Sequence, residues 1–167
     1  MLFERFETAH ELFTYKLGSA LKMERTVLEM LDRLHDEARS DELRRQLNHH
    51  AGETRHQLEN LERAFDALGE EADDKPCPVI EAIEKEGRAN IKRADDALVD
   101  TVIVAGASET EHHEIAVYEW LITEAEAMRH DTVASLLREN LEQEQHTLEE
   151  VNALAPSLAT QAASSGP

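Results

Sequence analysis

The stretch VASLLRENLEQEQHTLEEV, residues 133–151, places a carboxylate where the helical pattern predicts an apolar side chain. Val133, Leu137, Leu141, Leu148 and Val151 form one stripe at about 100° per residue, and Glu144 lies near its middle. Near the start of the chain, Glu24 lies at the centre of a second stripe that contains Phe6, Phe13, Leu17, Leu21, Leu28 and Leu31. A buried carboxylate without a partner is costly. The pattern therefore predicts amphipathic helices around a core that holds a shared cation, with a metal ion as the leading candidate.

The composition favours a single helical domain. The chain has 167 residues, only 6 Gly and 4 Pro, and 4% aromatic residues, which leaves little material for a sheet. Its formal net charge of −19 argues against binding to nucleic acids or anionic membranes. Few of the basic residues are Lys, which is typical of proteins from a high-salt cytoplasm, but an ordinary soluble acidic protein fits the composition equally well.

Cysteine content and hydropathy predict a cytoplasmic protein. Cys77 is the single cysteine, so no internal disulfide can form, and its position between two prolines argues against an activated thiol. No segment has the run of about 20 apolar residues that a membrane span requires, and the first ten residues do not resemble a signal peptide.

Breaks in the pattern predict four long helices and one short one. The long helices are expected at residues 2–35, 41–68, 90–128 and 132–154, and the short helix at 79–88. Gly69 is a good C-cap for the second helix, and Pro156 is expected to end the last one. We predict an all-α, up-down-up-down four-helix bundle over residues 1–155, with the short helix in the long connection. Residues 156–167 are predicted to be a disordered tail.

The third long helix strengthens the prediction of a metal site. Glu111, Glu114 and Tyr118 lie within its apolar face, and Asp100 lies on the same face nearer the amino end. Two carboxylates three residues apart repel each other in an apolar site unless a cation or protons intervene. This pair therefore favours a ligand role more strongly than any single glutamate does.

In the second helix the literal motif is misleading. Glu53 and His56 form the Glu-x-x-His signature of di-metal carboxylate bundles. His56, however, points about 150° away from the centre of the apolar stripe, whereas His50 lies only about 30° from it and Glu53 lies at the flank. We therefore predict His50 as the imidazole ligand, with His56 as the alternative.

The fourth helix lacks a second histidine ligand. Thr147 stands three residues after Glu144, and His146 is predicted to face outward. A site rich in carboxylate with a single imidazole suits iron or manganese better than structural zinc. The competing interpretation is a metal-free network in which protons or Tyr118 neutralise the glutamates. The apolar stripes contain no Lys or Arg, which favours the metal.

These residues resemble the YciF/YciE family of ferritin-like stress proteins over about residues 5–152. The resemblance implies a fold similar to that of rubrerythrins and other di-iron carboxylate proteins, and it implies a homodimer. The family pattern has a histidine at position 50 and none at position 56. The matching segments are Ala20–Glu24, His50–Thr54 with Gln57, Cys77, Asp100, Glu111–Ile115 with Tyr118, and Leu141–Glu144.

The expected function is therefore a stress-response protein with a di-iron or manganese centre, which oxidises Fe(II) with peroxide or dioxygen. The alternative is a metal-free, dimeric interaction protein of the stress response. The predicted metal ligands are Glu24, His50, Glu53, Glu111, Glu114 and Glu144.

Overall fold

The protein is all-α over residues 5–164, which are the residues that the computed structural model describes. Within these residues, the regular structure consists of five helices and one 3₁₀ turn. The helices are α1 (Ala9–Glu37), α2 (Asp41–Leu68), α3 (Pro78–Arg93), α4 (Val99–Ala127) and α5 (Asp131–Ser164), and the 3₁₀ turn is Asp96–Leu98. The predicted all-α fold class, with a shorter helix in the connection between the second and third long helices, is confirmed.

Local capping explains where the first two helices begin and end. Thr8 and Glu11 form a capping box, so α1 begins at Ala9 and not at the predicted residue 2. Residues 2–4 of the predicted helix lie outside the described part of the chain. The Ser40 side chain accepts from Leu43 N at the start of α2. Gly69 ends α2 in the left-handed conformation with φ 73°, as predicted.

The helix directions differ from the predicted alternation. At one end of the bundle, Asp100 at the start of α4 accepts hydrogen bonds from Arg39 N and Ser40 N, between α1 and α2. At the other end, His130 before α5 stacks on Phe13 near the start of α1. Helices α2 and α4 are therefore parallel, and the order is up-down-down-up. The reason is the connection: α2 is about 42 Å long, and the eight residues 70–77 together with α3, which spans about 24 Å, return the chain to the end where α2 begins.

Two predicted boundaries of the connection are wrong. Helix α3 continues to Arg93, past the predicted end at 88, and α4 begins at Val99, later than the predicted residue 90. Gly87 does not interrupt α3 because an isolated glycine is tolerated in a helix. The break comes at Ala94, whose backbone is extended, and at the acidic residues that follow it.

The predicted end of the last helix at Pro156 is also wrong. Helix α5 contains Pro156 and continues to Ser164. Leu154 and Leu158 are both buried, so the apolar stripe continues across the proline and keeps this turn packed on the bundle. Residues 156–164 are therefore helical. The predicted disorder of residues 165–167 falls outside the described residues.

The bundle core lies between α1, α2, α4 and α5, and α3 covers one side of it. Within residues 5–164, no helix is sufficiently long and apolar to cross a bilayer. Phe6, predicted to belong to the stripe of the first helix, precedes α1 and is exposed beside Tyr15. The largest fully buried side chains include Phe13, Phe65, Leu17, Leu21, Met23, Leu61, Ile103, Leu121 and Leu137.

Replacing Asp100 should destabilise the bundle by disconnecting α4 from the turn between α1 and α2. Its buried carboxylate accepts from Arg39 N at 2.6 Å and Ser40 N at 2.8 Å. We expect Asp100→Ala to lower the free energy of unfolding by about 2–4 kcal/mol, because charged hydrogen bonds are lost and two amides lose their partner. Urea denaturation measures this. Asp96→Ala is the matched control, because Asp96 is exposed and contacts the Arg39 side chain. An equal effect of both substitutions would contradict the assignment.

Candidate metal centre

Four buried side chains from three helices converge in the middle of the bundle. His50 of α2, Glu111 and Glu114 of α4 and Glu144 of α5 each offer a ligand atom, and these atoms all lie within 4.8 Å of one another. His50 Nδ1 is 3.5 Å from Glu111 Oε1, and His50 Nε2 is 3.6 Å from Glu144 Oε2. The imidazole therefore lies between two carboxylates. We call these four residues the cluster.

Glu24 joins α1 to the cluster through its charge and through Tyr118. It is fully buried, and Tyr118 Oη donates a hydrogen bond to Glu24 Oε1. Asn140 Nδ2 in turn donates to Tyr118 Oη at 3.1 Å, and Asn60 Nδ2 donates to Asn140 Oδ1 at 2.9 Å. A buried polar chain thus links all four long helices and ends on one oxygen of Glu24. Its other oxygen has no hydrogen-bond partner among the described residues.

Glu53 lies at the edge of the cluster, at the flank that the helical wheel predicts. Its side chain is 16% exposed. Thr147 Oγ1 donates to Glu53 Oε2 at 3.3 Å, and His49 Nε2 lies 3.5 Å from Glu53 Oε1. Glu53 is therefore already partly satisfied, unlike Glu114 and Glu144.

The histidines separate as the wheel argument predicts. His50 is buried in the cluster, whereas the His56 side chain is 46% exposed beside Glu59 and Glu139. His146 is exposed and lies near Glu150. The structure thus brings together His50, Glu111, Glu114 and Glu144, places Glu24 and Glu53 beside them, and leaves His56 outside.

The cluster contains many polar atoms without partners. Within residues 5–164, both carboxylate oxygens of Glu114 and Glu144, one oxygen of Glu111 and His50 Nε2 are buried without a hydrogen bond. No Lys or Arg in the same part of the chain lies within ion-pair distance of these glutamates or of Glu24. Orphaned buried acceptors of this kind are rare unless a proton, water or ion satisfies them.

The electrostatics of the cluster favour neutralisation. Burial raises the pKa of Glu24 well above its ordinary value of 4.5, and the Glu144 charge raises it further. Burial and then Glu144 also raise the pKa values of Glu111 and Glu114. Burial and the Glu24 charge raise the pKa of Tyr118, so its hydroxyl stays protonated and donates. The carboxylates therefore require protons or a cation.

The donor set fits a hard or borderline divalent metal ion. It has several carboxylate oxygens and one imidazole, the ligands that iron and manganese accept readily. Ligand atoms around one ion, bound at about 2.1 Å, lie up to about 4.2 Å apart, so the observed spread requires only a small contraction.

His113 lies outside the cluster, half-buried, with Nε2 3.8 Å from Cys77 Sγ. Burial and the Lys16 charge lower the pKa of His113.

Sequence reasoning missed the amides of the buried polar chain. Asn60 and Asn140 are almost completely buried, and Asn140 Nδ2 also donates to Gln57 O at 3.2 Å. One signal was available: Asn140 lies one helical turn before Glu144, so it lies on the same inward face. Thr147, which stands where a second histidine ligand is missing, is buried and donates a hydrogen bond to Glu53.

Loss of Asn140 should weaken the bundle. We expect Asn140→Ala to lower the free energy of unfolding by about 1–3 kcal/mol, because Asn60 and Tyr118 each lose a buried partner. Asn152→Ala, on the exposed side of the same helix, supplies the control for the change in helix propensity. Denaturant titrations of the two variants measure the difference. Equal midpoints would show that the polar chain contributes nothing to stability.

Comparisons with known proteins agree with the fold and its length. Residues 8–164 match the family model described as Domain of unknown function (DUF892). The chain is 27% identical over 143 residues to Protein YciF of Escherichia coli K12, covering 84% of this chain and 86% of YciF.

Two solved structures cover almost the whole bundle. The crystal structure of the Escherichia coli stress protein YciF superposes with a TM-score of 0.88 at 25% identity, covering 93% of this chain and 99% of that one. YcfI from Rhodopseudomonas palustris superposes with a TM-score of 0.87 at 31% identity, covering 90% of this chain and 98% of that one. The ferritin-like arrangement of helices is thus shared along nearly the full length of both proteins.

Proposed function

Because this chain belongs to the YciF-like family of the DUF892 domain, we propose that it is a stress-response protein with a carboxylate-rich iron or manganese centre. The observation that carries the proposal is the buried cluster of His50, Glu111, Glu114 and Glu144, in which six side-chain N and O atoms lack a hydrogen-bond partner within the described residues. Four-helix bundles of this class build their metal sites from side chains that project inward from facing helices.

In this proposal the predicted ligands divide between two metal positions. The four residues of the cluster would hold one ion, since their ligand atoms already lie close together. Glu24 and Glu53 lie on α1 and α2 beside the cluster and would complete a second position. Two neighbouring ions would neutralise carboxylates that are otherwise costly to ionise in this core.

The chemistry that suits such a centre is oxidation of Fe(II) by peroxide or dioxygen, which consumes a harmful oxidant or stores the iron. When bound, a metal pair supplies the redox capacity and the attraction for oxygen ligands. The chain supplies the rest. Its apolar core excludes water, and Tyr118 holds Glu24 in one orientation with a proton that stays on the phenol.

Metal content and iron oxidation test the proposal together. We expect the purified protein, loaded anaerobically, to bind about two Fe(II) or Mn(II) per chain, as two-metal carboxylate sites do. Addition of hydrogen peroxide should then produce ferric absorbance faster than in buffer. Glu114→Gln should lose metal and rate, whereas Glu119→Gln on the exposed face of α4 should keep both. Absence of stoichiometric metal in the wild type would reject the proposal.

A second candidate is a metal-free, dimeric interaction protein of the stress response. The raised pKa values of Glu24, Glu111 and Glu114 favour it, because protonated carboxyl groups can remain in the core without a cation. Double replacement by Glu24→Gln, which keeps an acceptor for Tyr118, and Glu144→Leu discriminates between the two. It should stabilise a metal-free bundle and abolish metal-dependent stabilisation in a metalloprotein. A homodimer and a cytoplasmic location belong to both candidates, and sedimentation analysis tests the dimer.

A further inference from the structure

An apolar cavity of about 160 Å³ lies between α1, α3 and α4 and reaches the cluster. Buried His50 and Glu111 line its inner part, and the exposed residues Arg88 and Lys92 of α3 line its mouth. The wall between them is aliphatic and comes from all three helices. It includes Val27, Leu31, Leu34, Ile83, Ile91 and Ile103.

Two helical glycines widen this cavity. Gly87 of α3 and Gly106 of α4 both line it, and a β-carbon built on either would meet no neighbouring side chain or backbone of the described residues within 4 Å. Glycine destabilises a helix interior relative to alanine. Close approach of the segment between α2 and α3 explains Gly18, where a β-carbon would collide with the Asp73 carbonyl oxygen, but no such contact explains these two. Their effect is to keep space open.

Charge at the mouth is largely balanced within the chain. Arg33 of α1 and Arg88 of α3 both form ion pairs with Glu84, and Glu37 also lines the cavity whose mouth Lys92 borders. The polar atoms available to a ligand lie at the inner part instead, where His50 Nε2 and Glu111 Oε2 lack hydrogen bonds among the described residues. The cavity therefore suits an apolar body with one polar end that points towards the cluster.

We propose that this cavity binds a compact organic hydroperoxide, with its hydrocarbon body between α1, α3 and α4. The redox part of this inference rests on the proposed function. A cavity of about 150 Å³ accommodates a benzene ring, so a single ring that extends partly into the mouth fits this one, with the short branch that carries the hydroperoxide directed towards the cluster. The O–O bond of the hydroperoxide breaks on taking up two electrons and two protons, which gives an alcohol and water. Two Fe(II) ions, supplied as substrate, each give up one electron and become Fe(III).

Binding is tested with 2-phenyl-2-propanol, the unreactive alcohol that corresponds to cumene hydroperoxide. We expect the full-length protein, as purified and after chelation, to bind one molecule per chain with a Kd of about 1 mM or tighter, measured by NMR titration. Gly106→Leu should weaken binding at least about tenfold, since the new side chain occupies the cavity. Gly52→Leu is the matched control, because Gly52 also has open space around its β-carbon but lies outside the cavity.

Two outcomes would overturn the inference: no binding by the wild type up to several times the expected Kd, or equal binding by Gly106→Leu. If Gly106→Leu does not fold, Gly87→Leu on the opposite wall replaces it. If the wild type does not bind the alcohol and these substitutions change its oligomeric state, the cavity is a contact between copies of the chain and the inference is rejected.

The same proteins separate this inference from the proposed function. Metal content and oxidation of Fe(II) by hydrogen peroxide should be retained in Gly106→Leu, while the rate with cumene hydroperoxide should fall at least about tenfold. Metal binding without alcohol binding would reject the cavity alone. Alcohol binding without metal would leave the cavity standing and reject the redox role.

Discussion

Saturating Mn(II) is expected to raise the thermal midpoint of the metal-free protein by about 5–10 °C. A ligand present at a hundred times its Kd stabilises the folded state by about 2.7 kcal/mol, and a domain of this size gains about 2–4 °C per kcal/mol. The physical reason is that the ion replaces the missing partners of the buried oxygens on Glu114 and Glu144. Differential scanning calorimetry with and without Mn(II), in chelator-treated buffer, measures the shift.

Substitutions on α5 make this experiment specific. Glu144→Gln keeps the shape of the side chain and removes a charged ligand, so the shift should be largely lost. Glu149→Gln, on the exposed side of α5, should keep it. Without metal, Glu144→Gln should itself be more stable than the wild type, because it removes one of several carboxyl groups that are buried close together. A shift of the same size in both variants would mean that Mn(II) binds elsewhere on this acidic chain.

Without metal, the protein should lose stability as the pH rises above the ordinary glutamate pKa of 4.5. Glu24, Glu111 and Glu114 have pKa values raised above the ordinary 4.5, so in this range the folded state holds more protons than the unfolded state. Each such group lowers the free energy of unfolding by about 1.4 kcal/mol per pH unit between its unfolded and folded pKa values. Above the folded pKa values the loss levels off. Urea denaturation at several pH values gives the slope.

Metal should reverse this trend, since it binds carboxylates only in their deprotonated form. The stabilisation by Mn(II) should therefore grow from pH 5.5 to 7.5, while the metal-free stability falls. A Glu24→Gln and Glu111→Gln double variant should show a shallower metal-free slope than the wild type. Glu119→Gln and Glu149→Gln, which change the net charge equally but on the surface, control for general repulsion. Equal slopes in the two double variants would show that surface carboxylates, and not the buried ones, cause the pH dependence of stability.

Periodicity predicted the inward residues of this bundle because burial depends on the phase of a helix. Glu24, Glu114 and Glu144 each interrupt an apolar stripe, and each is fully buried. The same argument placed His50 inside and His56 outside, against the literal spacing of the motif. The angular position of a residue relative to the apolar stripe determines whether it faces the core. These predictions therefore did not depend on how the helices are arranged.

Other features depend on tertiary contacts that a stripe does not encode. The direction of α4 is determined by the length of the connection between α2 and α4. The start of α4 is fixed by hydrogen bonds from Arg39 N and Ser40 N to Asp100. Pro156 ends helices on average, but here the burial of Leu158 outweighs that preference. Asn140 was missed since asparagine is usually exposed, and its burial is acceptable only because Asn60 and Tyr118 are its partners.

The order of the predicted ligands along the chain has a consequence for synthesis of the protein on the ribosome. The hairpin of α1 and α2 emerges first and carries only Glu24, His50 and Glu53, which water can still solvate. Glu111 and Glu114 follow after the long connection, and Glu144 arrives with the last helix. The electrostatic cost of the core is thus incurred only when α4 and α5 dock, near the end of translation. We therefore expect the metal to bind at the end of folding, after α5 has docked. A nascent chain that is stalled before α5 should not retain a metal ion, and the absence of metal should not destabilise it.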